Sequence, residues 1–339
     1  MGLGSPVSPV RINPIRLRKN DALDNKPFSR CLRLSLTNDE HSKLMTKPSE
    51  REVSHSLPVA DGLSIRYRLW RVPKQPRPVI VLLHGVASNI SRWSEFVEQT
   101  TLKDTWDILR IDLRGHGEPL WRGKLNIDVW CQDLLRVLDH EHYTRALLIG
   151  HSLGVQIAIN FASCHPSRVI GLVLIDPIQR KALVGHLRLA SRLTPLLRLA
   201  VIAIRMLNRV GIYRRHIPQR DLRALDKKMR ETLLATGQLE KMVDRYSSPW
   251  LDLQHFPTAN FLQEIMEMVR PLPPLSSIVA PVLVLFSKSA TYADPKVSPE
   301  LIAQFKNATT VVIDAYHWPL TEKPVEIRRA IDVWCARLA

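Results

Sequence analysis

The chain has 339 residues, 45% of them hydrophobic, so it can bury the core of one large domain or of two. Its formal net charge of +16 is concentrated, because residues 180–230 hold fourteen Lys and Arg against only Asp221 and Asp226. Such a basic chain could bind nucleic acid, but it has no zinc-finger spacing, no RRM signature and no basic patch interleaved with aromatics. We therefore expect no nucleic-acid partner.

The cysteines and the apolar runs predict where the protein resides. The four cysteines form neither a C-x-x-C pair nor a zinc-ligand pattern with histidine, which favours free thiols in a reducing, cytoplasmic compartment. No stretch of about 18 apolar residues occurs, so we expect no membrane-spanning helix. The N-terminus has no apolar segment of the kind found in secretory signals.

Residues 1–55 differ in composition from the rest of the chain. The first fifty of them hold nine Lys and Arg, and the whole segment has many Ser and Pro, few aromatics and no sustained hydrophobic period. This composition predicts a disordered N-terminal extension. Recurring Arg and Ser would suit a targeting segment, but four acidic residues between positions 21 and 40 argue against that alternative.

Beyond residue 55, short apolar runs alternate with helical patterns. The first run, residues 61–70, alternates apolar and polar residues and predicts a half-exposed strand. Six later runs are almost continuously apolar, as is typical of strands buried on both faces of a parallel sheet. They are residues 78–85, 106–117, 146–150, 169–177, 281–287 and 309–315. With helical patterns between them, they predict an α/β fold with a mostly parallel, doubly wound sheet.

The alternation stops between Ile178 and Arg270, where about ninety residues show helical patterns only. We therefore predict a core formed by residues 56–177 and 272–339. Residues 178–271 are predicted to form a helical, basic cap inserted between two strands of that core.

A candidate nucleophile lies at a predicted strand-to-helix transition. Gly150-His151-Ser152-Leu153-Gly154 matches G-x-S-x-G, in which a strained turn lifts the serine hydroxyl above the sheet. Larger residues at the two glycine positions would collide with neighbouring backbone. The following helix begins beside the serine, and its N-terminus favours a developing oxyanion. The alternative is an ordinary strand–helix turn.

A serine hydroxyl needs a base, and His317 is the candidate. It follows the last predicted strand and precedes the final helix, in "IDAYHWPLTEKP". A base in the chain order Ser–acid–His is expected in such a loop. The alternative is an ordinary surface histidine. We interpret His151, next to the serine, as a pocket or packing residue.

Taken together, these motifs resemble the α/β-hydrolase superfamily over about residues 57–338. The resemblance is carried by "LLHGVASNISRW", "IDLRGHG", "GHSLG" and "YHWPLTEKP". It implies an α/β-hydrolase fold with a helical cap, Ser152 as nucleophile and His317 as base. It also implies an oxyanion hole made by the backbone N–H groups of Val86 and Leu153, without metal or organic cofactor.

The same resemblance implies supporting roles for four further residues. His84 and Gly85 would shape the loop that presents Val86, and Asp112 and Arg114 would hold loops near the site.

The acid of the triad is where the chain departs from the family pattern. The family often has Gly-x-x-Asp after the strand that corresponds to "PVLVLFS", but here Ser287 replaces the glycine and Ala290 stands at the acid position. Asp294 follows four residues later, and lengthening a surface loop costs little. We therefore predict Asp294 as the acid, with Asp176 in "VLIDP" as the alternative. A third possibility is a slow enzyme without a working acid.

The basic cap contains one unusual predicted helix within residues 193–218. Arg198, Arg205 and Arg209 fall within about 40° on one helix face, and Pro195 should start or kink the helix. Three interpretations stay open. The arginines could face solvent, contact anionic lipid at the edge of an interfacial helix, or bind an acidic head group such as that of a phospholipid or acyl-CoA.

The predicted function is hydrolysis of an ester or related acyl bond of a small, lipophilic substrate through an acyl-serine intermediate. A serine at position 152 argues against the aspartate-dependent dehalogenase and epoxide hydrolase reactions of the same superfamily. Acyltransferase and thioesterase activity are the alternatives within enzymes. Outside enzymes, the alternative is a catalytically weak binding protein peripheral to an anionic membrane, which the basic cap would contact.

Overall fold

The computed structural model describes residues 52–59, 62–72, 76–116, 120–289, 291–292 and 298–338. The predicted disordered extension therefore lies, as far as residue 51, outside the described residues. Residues 52–55, which the sequence alone assigns to that extension, instead begin strand β1 (Glu52–Val59). This strand pairs antiparallel with β2 (Leu63–Trp70) along its whole length. It lies at the sheet edge with polar, partly exposed side chains, which is why its apolar pattern is weak.

Eight strands form one sheet in the order β1-β2-β4-β3-β5-β6-β7-β8. The strands after β2 are β3 (Val79–Leu83), β4 (Asp107–Ile111), β5 (Ala146–His151), β6 (Val169–Ile175), β7 (Val282–Ser287) and β8 (Ala308–Ile313). From β4 to β8 in this order all pairings are parallel, whereas β1 and β2 run antiparallel to their neighbours. The predicted mostly parallel α/β sheet is confirmed.

The central strands are apolar throughout because helices cover both faces of the sheet. In β3, all five side chains are buried, with Val79, Val81 and Leu83 in one apolar cluster and Ile80 and Leu82 in the other. The core helices are α1 (Ser94–Gln99), α2 (Ile127–His140), α3 (Leu153–Cys164), α10 (Ser298–Ile302), α11 (Pro319–Glu322) and α12 (Pro324–Cys335). The carboxyl ends of β3, β5 and β6 therefore lie side by side, at the position where ligands bind in open α/β sheets.

Between β6 and β7, the regular elements of the structure are all helical. The α-helices are α4 (Gly185–Arg192), α5 (Thr194–Arg209), α6 (Leu222–Thr236), α7 (Leu239–Tyr246), α8 (Pro249–His255) and α9 (Thr258–Met268). We refer to residues 178–271 as the helical insertion. Within the part of the chain that the structure describes, no helix has the length and hydropathy needed to cross a membrane.

A buried ion pair joins the helical insertion to the core. Arg92, in the 3₁₀ turn Ile90–Trp93 that follows β3, pairs with Asp226 of α6 and donates to Thr321 Oγ1 at 2.8 Å. The hydroxyl of Tyr246 in α7 donates to the same Asp226 carboxylate at 2.6 Å. Removing one partner of such a buried pair leaves an uncompensated charge, so these contacts hold the insertion in place over the strand ends.

Candidate active site

Ser152 occupies a strained turn between β5 and α3. Its backbone angles are φ 53° and ψ −112°, in a region that side chains other than glycine rarely adopt. Its N–H donates to the carbonyl of Ile175 at the end of β6, 3.2 Å away. Backbone strain of this kind costs free energy and is found mainly at functional sites. The predicted strand–turn–helix context of the serine is confirmed.

Two glycines make this turn possible. A Cβ at Gly154 would lie 2.3 Å from the carbonyl oxygen of Leu83 in β3. A Cβ at Gly150 would lie 2.4 Å from the carbonyl oxygen of Gly154 itself. Both distances are far shorter than van der Waals contact, so any side chain at these positions would push the serine turn away from β3 or from its own helix.

His317 faces a carboxylate, and that carboxylate belongs to Asp176. Nδ1 of His317 lies 3.3 Å from Oδ2 of Asp176, and both side chains are less than a tenth exposed. The other oxygen, Oδ1, accepts the backbone N–H of Ser287 at 2.5 Å. One carboxylate oxygen is thus fixed by β7 while the other faces the imidazole, the arrangement that orients a catalytic histidine.

Asp294, the acid favoured by the sequence, lies outside the described residues. The alternative, Asp176, is the acid that the structure places beside the imidazole. Asp176 directly follows β6, has a positive φ of 50°, and its N–H donates to the carbonyl of Leu285 in β7. Because β6 lies next to β5 in the sheet, its end projects into the same site as Ser152. Spacing along the chain does not reveal which strand end lies nearest the histidine.

His151 contacts the histidine loop. Its Nε2 lies 2.8 Å from the backbone carbonyl of His317, and the two ring centroids are 5.1 Å apart. Burial, with the nearby His317 as a second cause, lowers the pKa of His151 to about 3. The ring is therefore neutral near pH 7, and Nε2–H is the tautomer that donates to this carbonyl. The sequence had indicated only a pocket or packing role.

The loop after β3 lies against Ser152. A Cβ at Gly85 would lie 3.3 Å from Cβ of Ser152, and Val86 lines the cavity in front of the serine. The N–H of Ala87, whose φ is 49°, donates to Oε2 of Glu264 at 3.1 Å. Leu153 is the first residue of α3, so the N-terminus of that helix is also at this site.

Glu264 is a site residue that the sequence did not indicate. It lies in α9 of the helical insertion, is fully buried, and holds the loop after β3 across 177 residues of sequence. Its Oε2 also lies 3.1 Å from Nε2 of the buried His116. A single glutamate within a helical pattern gives no signal of such a contact, since only the fold brings α9 against the loop after β3.

The residues expected to support the loops do contact them. His84 Nε2 accepts the N–H of Leu113 at 3.1 Å, and burial lowers the pKa of His84 well below its usual range, so the ring is neutral. Asp112 Oδ1 accepts the N–H of Ile90 at 2.9 Å. Arg114 pairs with Asp133 through Nε at 2.8 Å. These contacts fix the backbone around the site without entering the cavity.

Ser152 and His317 line one cavity of about 240 Å³ between the strand ends and the helical insertion. Most of its wall is apolar: Val86, Leu187, Ala190, Leu197, Phe261, Leu262, Ile265, Met268, Tyr292 and Trp318. The Ser152 hydroxyl donates to Met268 Sδ at 3.5 Å. A thioether is a weak acceptor, so this contact costs little to exchange for another.

The charged groups on the cavity wall are already paired. Arg92 is balanced by Asp226, and Asp252 lies 3.1 Å from Arg220. Burial raises the pKa of Asp252 to about 6, although Arg220 opposes that shift. Arg198, Arg205 and Arg209 are not among the lining residues. The cavity therefore offers apolar contact to a substrate, which weighs against the sequence hypothesis that these arginines bind an acidic head group there.

The chain is similar in sequence to proteins that are named as hydrolases. The chain is 27% identical over 259 residues to a Haemophilus influenzae protein named as an esterase/lipase, covering 75% of this chain and 82% of that one. It is 24% identical over 288 residues to an sn-1-specific diacylglycerol lipase of Danio rerio, covering 83% and 86%. It is also 30% identical to human epoxide hydrolase 4, but only over 115 residues, 33% of this chain and 31% of that protein.

The third relative is named for a different reaction, so relatives alone do not decide the chemistry. The sequence model of the alpha/beta hydrolase fold family matches residues 78–324, which include Ser152, Asp176 and His317. The chain belongs to the α/β-hydrolase family.

Proposed function

We propose that this protein is a serine hydrolase that cleaves an ester or related acyl bond of a lipophilic substrate through an acyl-serine intermediate. The observation that carries the proposal is the buried Asp176–His317 pair, 3.3 Å apart, whose histidine lines the same cavity as Ser152 in its strained turn. A serine, a histidine and a buried carboxylate in this relation are the components of a nucleophilic triad.

Each residue has a defined task in the proposed reaction. His317 accepts the proton of the Ser152 hydroxyl as its oxygen attacks the substrate carbonyl. The negative oxygen of the tetrahedral intermediate receives hydrogen bonds from the N–H groups of Val86 and Leu153. His317 then donates its proton to the leaving alcohol, and water, activated by the same histidine, releases the acid from the acyl-serine.

Asp176 is the acid in this proposal, in place of Asp294. Its carboxylate keeps the imidazole in the tautomer with Nδ1–H and stabilises the imidazolium that forms in the transition state. Its contact with the N–H of Ser287 holds the carboxylate against β7 while the imidazole changes charge.

The cavity supports a lipophilic acyl group as the bound part of the substrate. Its volume of about 240 Å³ is small compared with the ~300–1,000 Å³ typical of ligand pockets. An acyl chain can enter it while the remainder of a larger lipid stays outside. Relatives named for esterase and lipase activity support the same substrate class.

Acyl transfer to an alcohol or cleavage of a thioester would use the same acyl-serine, so these remain the alternative reactions. They differ in the acceptor and in the leaving group. Aspartate-based epoxide opening is not supported, because the nucleophile position holds Ser152. We also propose a cytoplasmic location with peripheral contact to an anionic membrane, which the basic residues 180–230 support.

Labelling with a fluorophosphonate probe tests the proposal directly. We expect the unsubstituted protein to be labelled and Ser152→Ala to remain unlabelled. Ser88→Ala is the matched control, because Ser88 is a second buried serine of the same cavity and its loss should leave labelling intact. The rates of hydrolysis of p-nitrophenyl esters from acetate to decanoate then show which acyl-chain length the enzyme prefers. Absence of labelling in the unsubstituted protein would indicate a binding protein instead.

A further inference from the structure

Helix α5 has three distinct faces. Val201 is 5% exposed, and Leu197 lines the catalytic cavity, so these residues mark the inner face. Along this face α5 packs on α9, the helix whose Met268 contacts Ser152. One helix thickness therefore separates the catalytic cavity from whatever lies outside α5.

The outer face of α5 is apolar and uncovered. We define it by residues that fall within about 120° of arc at 100° per residue. They are Leu196, Leu199, Ile202 and Met206 of α5, together with Val210, which directly follows the helix; they are 60, 62, 56, 61 and 72% exposed. Leu189 and Leu193, 56 and 38% exposed, extend the same surface towards α4. Contiguous exposed apolar surface beyond a few hundred Å² is rare on soluble monomers and marks an interaction site.

A row of arginines borders this outer face. Arg198, Arg205 and Arg209 lie within about 40° of arc, adjacent to Ile202 on the helical wheel. In the part of the chain described by the structure, no carboxylate lies within 4.0 Å of any of the three guanidinium groups. These charges are therefore available to an anionic partner.

Charge decides between the candidate partners of this face. A second copy of the chain would bring its own basic residues 180–230 against these arginines. Residues 1–50 also carry a positive excess, nine Lys and Arg against five Asp and Glu. Both are repelled, whereas an anionic lipid surface supplies negative headgroups for the arginines and acyl chains for the leucines.

We propose that the outer face of α5 docks on an anionic lipid bilayer and that the cavity beneath it takes an acyl chain of a membrane-resident lipid ester directly from that surface. The second half of this inference rests on the proposed function and names its substrate class. The helix lies in the membrane interface with Leu196, Leu199, Ile202, Met206 and Val210 among the acyl chains. The arginine row remains at the level of the headgroups.

Co-sedimentation of the full chain with vesicles tests the docking. The vesicles are pure phosphatidylcholine, or phosphatidylcholine with 30% phosphatidylglycerol. We expect binding at least tenfold stronger to the anionic vesicles, weakening as salt is raised. Leu199→Ser/Met206→Ser should lower it at least tenfold. Leu234→Ser is the matched control, because Leu234 is 88% exposed but lies on α6, and it should bind as the unsubstituted chain does.

The contribution of charge is tested separately. Arg198→Gln/Arg205→Gln/Arg209→Gln should bind anionic vesicles at least tenfold more weakly. The matched control is Lys227→Gln/Lys228→Gln on α6, both exposed and both in the basic segment. An equal loss in this control would show that net charge alone attracts the protein to the vesicle, and the docking face would be wrong.

Two further readouts separate this inference from the proposed function. Vesicle binding is also measured with Ser152→Ala, which should bind normally, so docking is tested even where no ester is cleaved. Hydrolysis of p-nitrophenyl butyrate tests the catalytic residues without a membrane, and Leu199→Ser/Met206→Ser should retain it within about twofold. The same double variant should hydrolyse a lipid ester embedded in anionic vesicles at least tenfold more slowly.

Several results would overturn the inference. One is failure of the unsubstituted chain to bind anionic vesicles at low salt. Another is unchanged binding in Leu199→Ser/Met206→Ser. A third is a dimer in analytical ultracentrifugation that this double variant converts to monomer, because that would identify a second copy of the chain as the partner of the face.

Discussion

Two regions of the molecule use apolar residues in opposite ways. The first is the group of strand ends around Ser152, and the second is the outer face of α5. Around Ser152 every apolar side chain of β3 and β5 is buried, and the buried carboxylate of Asp176 faces the imidazole of His317. On α5, four large apolar side chains are more than half exposed, beside arginines that have no carboxylate within 4.0 Å among the described residues. The residues of the first region are explained by contacts within the chain. Those of the second have no such explanation among the described residues, which is why we propose a lipid surface as their partner.

The largest expected effect is on the chemistry of the first region. Ser152→Ala should lower the turnover of a soluble ester by about 10⁴-fold or more, because the nucleophile is removed while the cavity remains. Steady-state kinetics with p-nitrophenyl butyrate measure this effect, and thermal unfolding shows whether the variant is folded. Residual turnover within tenfold of the unsubstituted enzyme would mean that another group attacks the carbonyl.

The acid is the next test. Asp176→Asn should lower kcat by about 10³- to 10⁴-fold, because the carboxylate that orients His317 is lost. Asp294→Asn is the matched control and should change kcat less than tenfold. If the two variants rank in the reverse order, Asp294 is the acid and Asp176 has a structural role at the end of β6.

A glycine comparison tests the strained turn itself. Gly154→Ala should lower the free energy of unfolding by more than about 3 kcal/mol, because its Cβ would lie 2.3 Å from the Leu83 carbonyl oxygen. Gly211→Ala meets no atom within 4 Å and should cost only about 1–2 kcal/mol, for its φ of +86°. Urea denaturation measures both. Equal losses would show that the close approach to β3 does not by itself require a glycine at position 154.

The buried His151 predicts a pH dependence of stability. Its pKa is about 3 in the folded chain and near its ordinary 6.5 when unfolded, so the unfolded state takes up the proton first as pH falls. Stability is therefore lost progressively below about pH 6.5. Between pH 7.5 and pH 5, this residue should cost about 2 kcal/mol of unfolding free energy.

Urea denaturation of His151→Gln at these two pH values checks that expectation. The variant keeps a donor for the His317 carbonyl but cannot take up the proton, so its stability should fall by about 2 kcal/mol less than that of the unsubstituted protein. His140→Gln, at an exposed position, is the control and should follow the unsubstituted curve. Coincident curves for all three proteins would contradict the neutral, buried state of His151.

The smallest expected effect is on the free energy of unfolding, when substitutions on the two sides of α5 are compared. Val201→Ala should cost about 2 kcal/mol of unfolding free energy, because Val201 is 5% exposed on the inner face. Leu199→Ser, two residues away and 62% exposed, should change stability by less than about 0.5 kcal/mol. A loss above 1 kcal/mol in Leu199→Ser would show that the chain itself covers the outer face.

The elements that the sequence predicted best are those whose residue pattern reflects local geometry. The continuous apolar runs at β3 to β7 are buried on both faces, and each predicted run overlaps an observed strand. The edge strand β1 was not predicted, because an exposed strand shows only weak alternation and its own residues do not reveal its pairing with β2. The serine turn was predictable because its glycines exclude almost every other backbone arrangement.

The contacts around His317 were not predictable in the same way. Asp176 and His151 contact His317 from 141 and 166 positions away in the sequence. Glu264 lies 177 positions from Ala87, whose N–H it accepts. The sequence marked Asp176 only as an alternative, and Glu264 not at all. Such contacts arise when strand ends and inserted helices converge, which depends on strand order.

The sequence by itself determined the α/β class, the strained turn at Ser152 and the basic amphipathic helix, because each follows from side-chain size and periodicity over a few neighbouring residues. Only the tertiary structure decided which carboxylate faces His317, which face of α5 packs on α9 and which remains uncovered. Those properties depend on the order β3-β5-β6-β7 and on the packing of the helical insertion, through which residues distant in the chain become neighbours.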